Sequence, residues 1–251
     1  MSLFQKKALS AAGEQAAMTD HSTPEIIPQY VFRIWNHRHR IEIEAAHLFH
    51  HLGEEMGKVW GLQDPIVQLC FQSANDELRH AERCQQILDL SSKPIKKEIP
   101  DTHLVLGPQH HEIHDRVLYA CVAMGCVTET LSTALLLRMR QCAQHSLIKE
   151  IIHEILEDEI NHSRIGWAEI ARYSQTKDPS WLSPSIEKMI QAALQTDIEP
   201  MINPQNQIDL SPWGILTAKE SREITSETIK SVIIPGLRNY IPLNLETNLG
   251  I

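Results

Sequence analysis

Two short segments of the chain share one pattern, and each lies in a stretch with helical periodicity. Residues 76–80 read DELRH and residues 158–162 read DEINH, so an Asp-Glu pair is followed, three residues after the glutamate, by a histidine. In an α-helix, residues three apart lie on the same face, about one turn apart. Each segment therefore presents a carboxylate and an imidazole side by side, and both groups are ligands for transition metals.

Apolar periodicity and capping residues predict an all-α fold without strands. Gly61 ends the first helix, and Asp64-Pro65 begins the second, because aspartate caps a helix N-terminus and proline fits its first turn. The predicted helices are residues 28–60, 65–90, 110–142, 146–173, 183–198 and 219–233, the last of them ended by Pro235-Gly236. On the first helix the apolar stripe consists of Ile34, Ile41, Ala45, Leu48, Leu52 and Met56.

The helix pattern divides the chain into three parts. Residues 1–24 are predicted to be an N-terminal arm, residues 25–174 a four-helix bundle, and residues 175–251 a helical C-terminal extension that packs on the bundle. Residues 91–108 contain three prolines and no helical stripe. The sixteen residues 92–107, when extended, span up to roughly 53 Å. The predicted second helix, of about 27 residues, is roughly 40 Å long. This segment is therefore long enough to serve as a single crossover between two antiparallel helix pairs.

The positions of the glutamates relative to the two short turns predict where they meet. Residues of an antiparallel helix pair lie at the same height when they are equidistant from the turn. Glu44 and Glu77 are centred on the turn at Gly61, and Glu129 and Glu159 on the turn between residues 142 and 146. Docking the two pairs would gather six side chains: Glu44, Glu77, His80, Glu129, Glu159 and His162. Since four buried carboxylates need compensating charge, the pattern predicts two divalent metal ions.

A further Glu-x-x-His pair, Glu150 and His153, tests this reasoning. It precedes Glu159 and His162 by nine residues, which places it on the opposite face of the same helix. We expect it at the surface.

Charge and cysteine content restrict the possible partners and the compartment. The net charge is −9, which argues against binding to nucleic acid or to an anionic membrane, since both require a basic surface. No signal peptide or membrane-spanning helix is expected. The five cysteines form no CxxC pair, which favours reduced thiols and a cytoplasmic protein.

The order Glu44, DELRH, Glu129, DEINH resembles the dinuclear iron site of ferritin-like oxidases and oxygenases, over residues 30 to 174. The spacing from Glu129 to Asp158 is similar to that of bacterial multicomponent monooxygenases. The resemblance implies that Glu44 and Glu129 are terminal carboxylate ligands and that Glu77 and Glu159 bridge the metals. It further implies that His80 and His162 each bind one iron, with Asp76 and Asp158 orienting the two imidazoles.

Several residues near this set have two interpretations. His47, one turn from Glu44, is an extra ligand or pocket residue, or else a hydrogen-bonded core histidine, which we favour. The small residues around Glu129 either permit close helix packing or leave room for dioxygen and a substrate: Gly125, Cys126, Ser132 and Thr133.

The resemblance implies a non-haem di-iron enzyme that activates dioxygen to oxidise a small organic substrate. It would hold two iron ions, with manganese as the alternative, and would receive electrons from an external reductase as a monomer or homodimer. One alternative is a ferroxidase or iron-storage protein. Another is an N-oxygenase acting on an amine, although Ile155 stands where those enzymes have a third histidine.

Overall fold

The computed structural model describes residues 27–105, 107–109, 111–203 and 208–243. The predicted N-terminal arm, residues 1–24, lies outside the described residues. The described residues are mostly helical and form no β-strand beyond one isolated bridge between Asn203 and Thr217, which confirms the all-α class.

The described residues contain seven α-helices. They are α1 (Gln29–Trp60), α2 (Pro65–Leu88), α3 (Ile113–Cys142), α4 (Ser146–Tyr173), α5 (Ser183–Ala193), α6 (Ala218–Thr228) and α7 (Ile234–Arg238). Within α3, the segment Val122–Glu129 is π-helical. Two further π-helical segments follow α5 and α6, at Leu194–Ile198 and Ile229–Ile233. Short 3-10 segments lie at Pro179–Leu182, Glu199–Met201 and Ser211–Trp213.

The turn between α1 and α2 has the capping chemistry that the sequence predicted. The Asp64 carboxylate accepts hydrogen bonds from the backbone N–H groups of Ile66 and Val67, at 3.0 and 3.3 Å. Pro65 occupies the first turn of α2. Gly61 has a positive φ of 87°, a value that residues with a Cβ atom rarely adopt. Local backbone preferences therefore fix where α1 ends and α2 begins.

Helices α1 to α4 pack side by side, with α1 against α2 and α3, and α4 against α2 and α3. Helices α3 and α4 approach closely at Gly125 and Gly166, where an added Cβ on Gly166 would lie 2.4 Å from the carbonyl oxygen of Cys121. Helices α2 and α4 are antiparallel, because Asp76 contacts His162 while Arg83, further along α2, contacts Glu154, earlier on α4.

The connection between α2 and α3 runs along α1. Near its start, the Lys96 carbonyl accepts a hydrogen bond from the Asn36 side chain at 3.1 Å. Further on, the backbone N–H of Asp101 donates to Glu44 at 2.8 Å. In the first turns of α3, Arg116 reaches Glu55 near the other end of α1 at 2.7 Å. The segment therefore runs parallel to α1, and α3 begins near the turn that joins α1 to α2.

The C-terminal extension shares one hydrophobic core with α1 to α4. Fully buried residues of the extension, such as Leu182, Ile190 and Ile233, belong to the same cluster as Leu131 of α3 and Ile151 of α4. The extension is therefore part of the folded core, and its removal would expose the residues that it covers.

The predicted end of the last helix at Pro235-Gly236 was wrong, because the chain continues as α7 through Arg238. Pro235 directly follows the π-helical segment Ile229–Ile233, in the first turn of α7. A Cβ on Gly236 would lie 2.7 Å from the Trp167 ring. The glycine therefore serves close packing here and does not end the helix.

One described helix, α3, is long and apolar enough to cross a membrane by length and composition, which the sequence analysis did not anticipate. However, 61% of its most apolar window is buried inside the protein. A mostly buried core helix passes the same test of length and composition, so this helix is weak evidence for a membrane span.

The shared core predicts a large effect of a cavity in α5. Ile190 is fully buried and Ile99 is 88% exposed. We expect Ile190→Ala to lower the free energy of unfolding by about 2–5 kcal/mol, whereas Ile99→Ala should change it by less than about 0.5 kcal/mol. Chemical denaturation measures both. Equal stability of the two variants would contradict a core shared between extension and bundle.

Candidate metal centre

Two overlapping groups of buried side chains meet between α1, α2, α3 and α4. One group is Glu42, Glu77, His80 and Glu159, and the other is Glu77, Glu129, Glu159 and His162. Within each group, one ligand atom from every residue lies within 4.8 Å of the others. Both groups contain Glu77 and Glu159, so two cations held here would share these two carboxylates.

The two histidines turn the same nitrogen atom towards the carboxylates. Nδ1 of His80 lies 3.1 Å from Oε2 of Glu77, and Nδ1 of His162 lies 3.0 Å from Oε1 of Glu77. Both imidazoles are almost completely buried. Each ring therefore offers Nδ1 to the centre of the cluster and leaves Nε2 for another partner.

The two aspartates orient the histidines in a crossed arrangement. Nε2 of His80 lies 3.0 Å from Asp158, and Nε2 of His162 lies 3.4 Å from Asp76. Two identical D-E-x-x-H segments in antiparallel alignment place the first residue of one opposite the last residue of the other. The repeated motif and the antiparallel packing of α2 and α4 together produce this pairing.

Arg79 connects the two aspartates. Its guanidinium donates to Asp76 at 2.9 Å and to Asp158 at 2.6 Å. Because an arginine presents its donors in a rigid planar fork, it holds both carboxylates in place at once. The second motif has Asn161 at the corresponding position, so a single arginine serves both histidines.

The structure places Glu44, the predicted α1 ligand, outside both groups, and places Glu42, which the sequence analysis did not name, inside one of them. Glu44 pairs with Arg40 and accepts the backbone N–H of Asp101. Residues two apart on a helix are separated by about 200°, so the two glutamates point to different sides. Distance from the turn gives the height of a residue on α1 but not the side to which it points.

A signal for Glu42 was present in the sequence. Trp35, Glu42, Phe49 and Met56 are spaced by seven residues, and the three apolar members are buried to at least 99%. A seven-residue spacing keeps side chains on one face of a helix. Three members of the predicted apolar stripe, Ile41, Ala45 and Leu48, line a cavity.

The remaining predicted site residues have different surroundings. His47 is exposed, which is contrary to the core position that we favoured and to a contact with the cluster. Gly125 and Cys126 pack against Gly166 of α4. Thr133 donates to the Glu129 carbonyl at 2.8 Å. Ser132 lines the cavity and donates to Oε1 of Glu159 at 3.2 Å.

The expected surface pair lies away from the cluster. Glu150 is exposed and pairs with Arg83 at 3.1 Å, while His153 lies 3.6 Å from Glu157. Glu150 is at the surface as expected, whereas His153 is partly buried, and neither residue belongs to the two groups.

The cluster has an excess of negative charge. Arg38 is buried, with Nε 2.6 Å from Glu42 and Nη2 3.4 Å from Glu159. With neutral histidines, the two arginines Arg38 and Arg79 leave four negative charges uncompensated among six carboxylates, which are Glu42, Glu77, Glu129, Glu159, Asp76 and Asp158. Two divalent cations would supply the missing charge.

Without metal, protons balance part of this charge. Burial alone would lower the pKa of His80, but hydrogen bonds with Asp158, Glu42 and Glu77 outweigh it and raise this pKa to about 12. The pKa of His162 is raised by the corresponding contacts with Asp76, Glu159 and Glu77, again against the effect of burial.

The carboxylates divide into two types. Burial raises the pKa of Glu129 well above its usual value, and the negative charge of Glu159 raises it further. Burial also raises the pKa of Glu42, to about 7, against the effect of Arg38. For Glu77, hydrogen bonds from His162 and His80 outweigh burial and lower the pKa. A metal ion would therefore compete with protons at Glu129 and at both histidines.

A cavity of about 580 Å³ opens onto the cluster. Glu42, Glu77, Glu129 and Glu159 line it at one side. Its apolar wall combines residues of α1, α3, the α2–α3 connection and the C-terminal extension, among them Ile41, Leu135, Val105, Met189, Ile198 and Leu216. The volume lies within the range of small-molecule sites, roughly 300–1,000 Å³.

Comparisons of the chain with models of known protein families, with curated proteins and with solved structures found no match.

The position of Glu42 predicts which α1 glutamate binds metal. We expect Glu42→Gln to weaken the binding of Fe²⁺ or Mn²⁺ by about 10-fold or more, because it removes an anionic oxygen from one of the two groups. Glu44→Gln is the matched control and should retain the affinity. Competition with a chromophoric chelator measures both variants. A loss confined to Glu44→Gln would restore the ligand set expected from the sequence.

The protonated state of the metal-free cluster predicts a pH dependence. The pKa values of His80, His162 and Glu129 are raised, so protons compete with metal ions for these groups. We expect metal affinity to fall as pH falls, with a net release of protons on binding. Calorimetry in buffers of different ionisation enthalpy counts these protons. Binding without proton release would show that the cluster is not the binding site.

Proposed function

We propose that this chain is a ferritin-like four-helix bundle that holds two iron ions and activates dioxygen to oxidise a small organic substrate. The observation that carries the proposal is the direct opening of an apolar cavity onto two overlapping metal-ligand groups. A buried metal centre beside an organic-sized cavity places a substrate next to the ions, which an oxidase or oxygenase requires.

The helix arrangement supports the ferritin-like assignment. Two antiparallel pairs, α1–α2 and α3–α4, pack together, and one long connection follows α1 between them. This connectivity, with one carboxylate from each of two helices and Glu-x-x-His from each of the other two, is that of ferritin-like di-iron and di-manganese proteins. In this chain the single carboxylates are Glu42 and Glu129.

The donor set fits two iron or manganese ions. Glu42, Glu77, His80 and Glu159 would hold one ion, and Glu77, Glu129, Glu159 and His162 the other. Carboxylate-rich sites with one imidazole per ion suit hard divalent metals. One buried atom that faces the cluster, Oε2 of Glu159, has no hydrogen-bond partner among the described residues. When bound, a di-iron centre supplies the electrons that reduce dioxygen.

The protein's own residues have definable tasks in this function. Asp76, Asp158 and Arg79 keep the two imidazoles in a fixed orientation, and Arg38 holds Glu42 and Glu159. Ser132 donates to Glu159. Preorganised side chains of this kind maintain ligand geometry during a reaction. The apolar wall excludes water from the space in which the substrate would react.

The cavity favours an enzyme over the iron-storage alternative. A ferroxidase or storage protein needs a route for iron ions, whereas apolar walls such as Leu135, Met189 and Leu216 favour an organic molecule. The N-oxygenase alternative is disfavoured, because Ile155 stands where those enzymes have a third histidine ligand and is fully buried in the hydrophobic core. The proposal includes an external reductase, a cytoplasmic location with the five cysteines unpaired, and a monomer or homodimer.

The proposal predicts the behaviour of iron-loaded protein. After anaerobic reconstitution we expect close to two Fe²⁺ per chain, and on exposure to air about one dioxygen consumed per chain with a change in the visible spectrum. Glu159→Gln should abolish both effects, because it removes a shared ligand, while Glu150→Gln on the outer face of the same helix should not. Iron analysis, an oxygen electrode and absorption spectroscopy give these values.

Size-exclusion chromatography completes this test. A monomer or dimer is expected. A large shell that takes up many iron ions per chain would contradict the enzyme proposal and favour storage.

A further inference from the structure

The cavity has charged groups on its wall that belong to neither metal-ligand group. Glu44 accepts a hydrogen bond from the backbone N–H of Asp101. The charges of Arg40 and Glu44 both influence the pKa of Asp197. All four residues line the cavity. We call this set, Arg40, Glu44, Asp101 and Asp197, the outer corner.

Asp197 is the unpaired member of the outer corner. Arg40 pairs with Glu44 and, at 2.9 Å, with Glu98. Within the described part of the chain, the Asp197 carboxylate has neither a hydrogen bond nor a salt bridge, although the side chain is partly buried. Burial raises its pKa to about 6, against the charge of Arg40. A ligand with a cationic donor would stabilise such a partly buried, unpaired carboxylate.

The backbone directs Asp197 into the cavity. It lies in the π-helical segment Leu194–Ile198 that follows α5. Met189, Ala193 and Thr196 precede it at helical spacing, and all of them line the cavity. Short π-helical segments occur frequently at functional sites, and here the segment ends the helix face that forms the wall.

The rest of the wall is suited to a flexible apolar group. Four methionines line the cavity: Met124, Met139, Met189 and Met201. Methionine side chains are unbranched and polarisable, so they adapt to ligands of varied shape. Lys188 also lines the cavity, but it is exposed, so water screens its charge more than that of Asp197.

We propose that the cavity binds an amphipathic amine, whose ammonium group pairs with Asp197 while its apolar chain lies along the methionine-rich wall towards the carboxylate cluster. The outer corner favours a cation, because Arg40 is already paired with Glu44 and Glu98, which leaves the partly buried Asp197 carboxylate without a partner among the described residues. The amine therefore anchors the molecule away from the metal ligands, and the apolar end lies beside them. Oxidation of the apolar end rests on the proposed di-iron function. Binding of the amine does not depend on that function.

Calorimetric titration of the full-length, metal-free protein with octylamine, octanoate and 1-octanol tests the proposal. These probes share a chain length and differ in the charge of the head group. We expect octylamine to bind at least about tenfold more tightly than octanoate, since one charge-assisted hydrogen bond is worth about this factor. Octanoate binding as tightly as octylamine, or more tightly, would overturn the proposal without any variant.

Two matched variants locate the ammonium group. Asp197→Asn should weaken octylamine binding about tenfold and leave 1-octanol within about twofold. Asp101→Asn removes the same charge from an exposed residue of the same wall, so octylamine binding should be retained. If Asp197→Asn does not fold, Asp197→Ser takes its place. An unchanged affinity for octylamine in a folded Asp197 variant would overturn the proposal.

Iron content, measured after reconstitution of the same preparations, separates this inference from the proposed function. Amine selectivity that depends on Asp197 in a protein without bound iron would support the ligand site and contradict the di-iron function. Two bound irons without amine selectivity would support the metal centre and contradict the ligand site.

Discussion

The burial of five carboxylates between four helices, with a sixth, Asp158, partly exposed beside them, is the constraint on which the rest of this structure depends. An isolated buried carboxylate is unfavourable by several kcal/mol, so these groups persist only with compensating partners. Arg38 and Arg79 supply two positive charges. Protons on His80, His162 and Glu129 supply more when metal is absent, and two divalent ions would take their place.

The same constraint explains the register of α2 and α4. Antiparallel alignment of two D-E-x-x-H segments pairs Asp76 with His162 and Asp158 with His80. A shift of either helix by one turn would leave buried histidines and aspartates without partners. The close contact of Gly125 with Gly166 fixes α3 against α4, which brings Glu129 to the other three glutamates.

Most of the fold could be predicted from the sequence because its signals are local. The Asp64-Pro65 start of α2 and the Ser146–Tyr173 bounds of α4 follow from capping and periodicity. The choice between Glu42 and Glu44 could not be made from distance to the turn alone, since both lie at nearly the same height. Ile41, Ala45 and Leu48 of the predicted apolar stripe line the cavity, because an apolar cavity wall has the same periodicity as a core face.

The outer wall of the cavity depended on contacts between distant parts of the chain. Val105 of the connection, Met189 of α5 and Leu216 come together only in the folded chain, and no local pattern places them. The extension thus has two roles, since it completes the hydrophobic core and forms part of the surface that a substrate would contact. Asp197 was not identified from the sequence, because an isolated aspartate near a helix end carries no specific signal.

The most direct test of the central claim is anomalous diffraction from crystals of the protein soaked with Fe²⁺ or Mn²⁺. The account predicts two anomalous peaks per chain, both in contact with Glu77 and Glu159, with His80 and Glu42 at one and His162 and Glu129 at the other. A single peak, a peak bound by Glu44, or strong peaks only at the protein surface would contradict a dinuclear centre in this cluster.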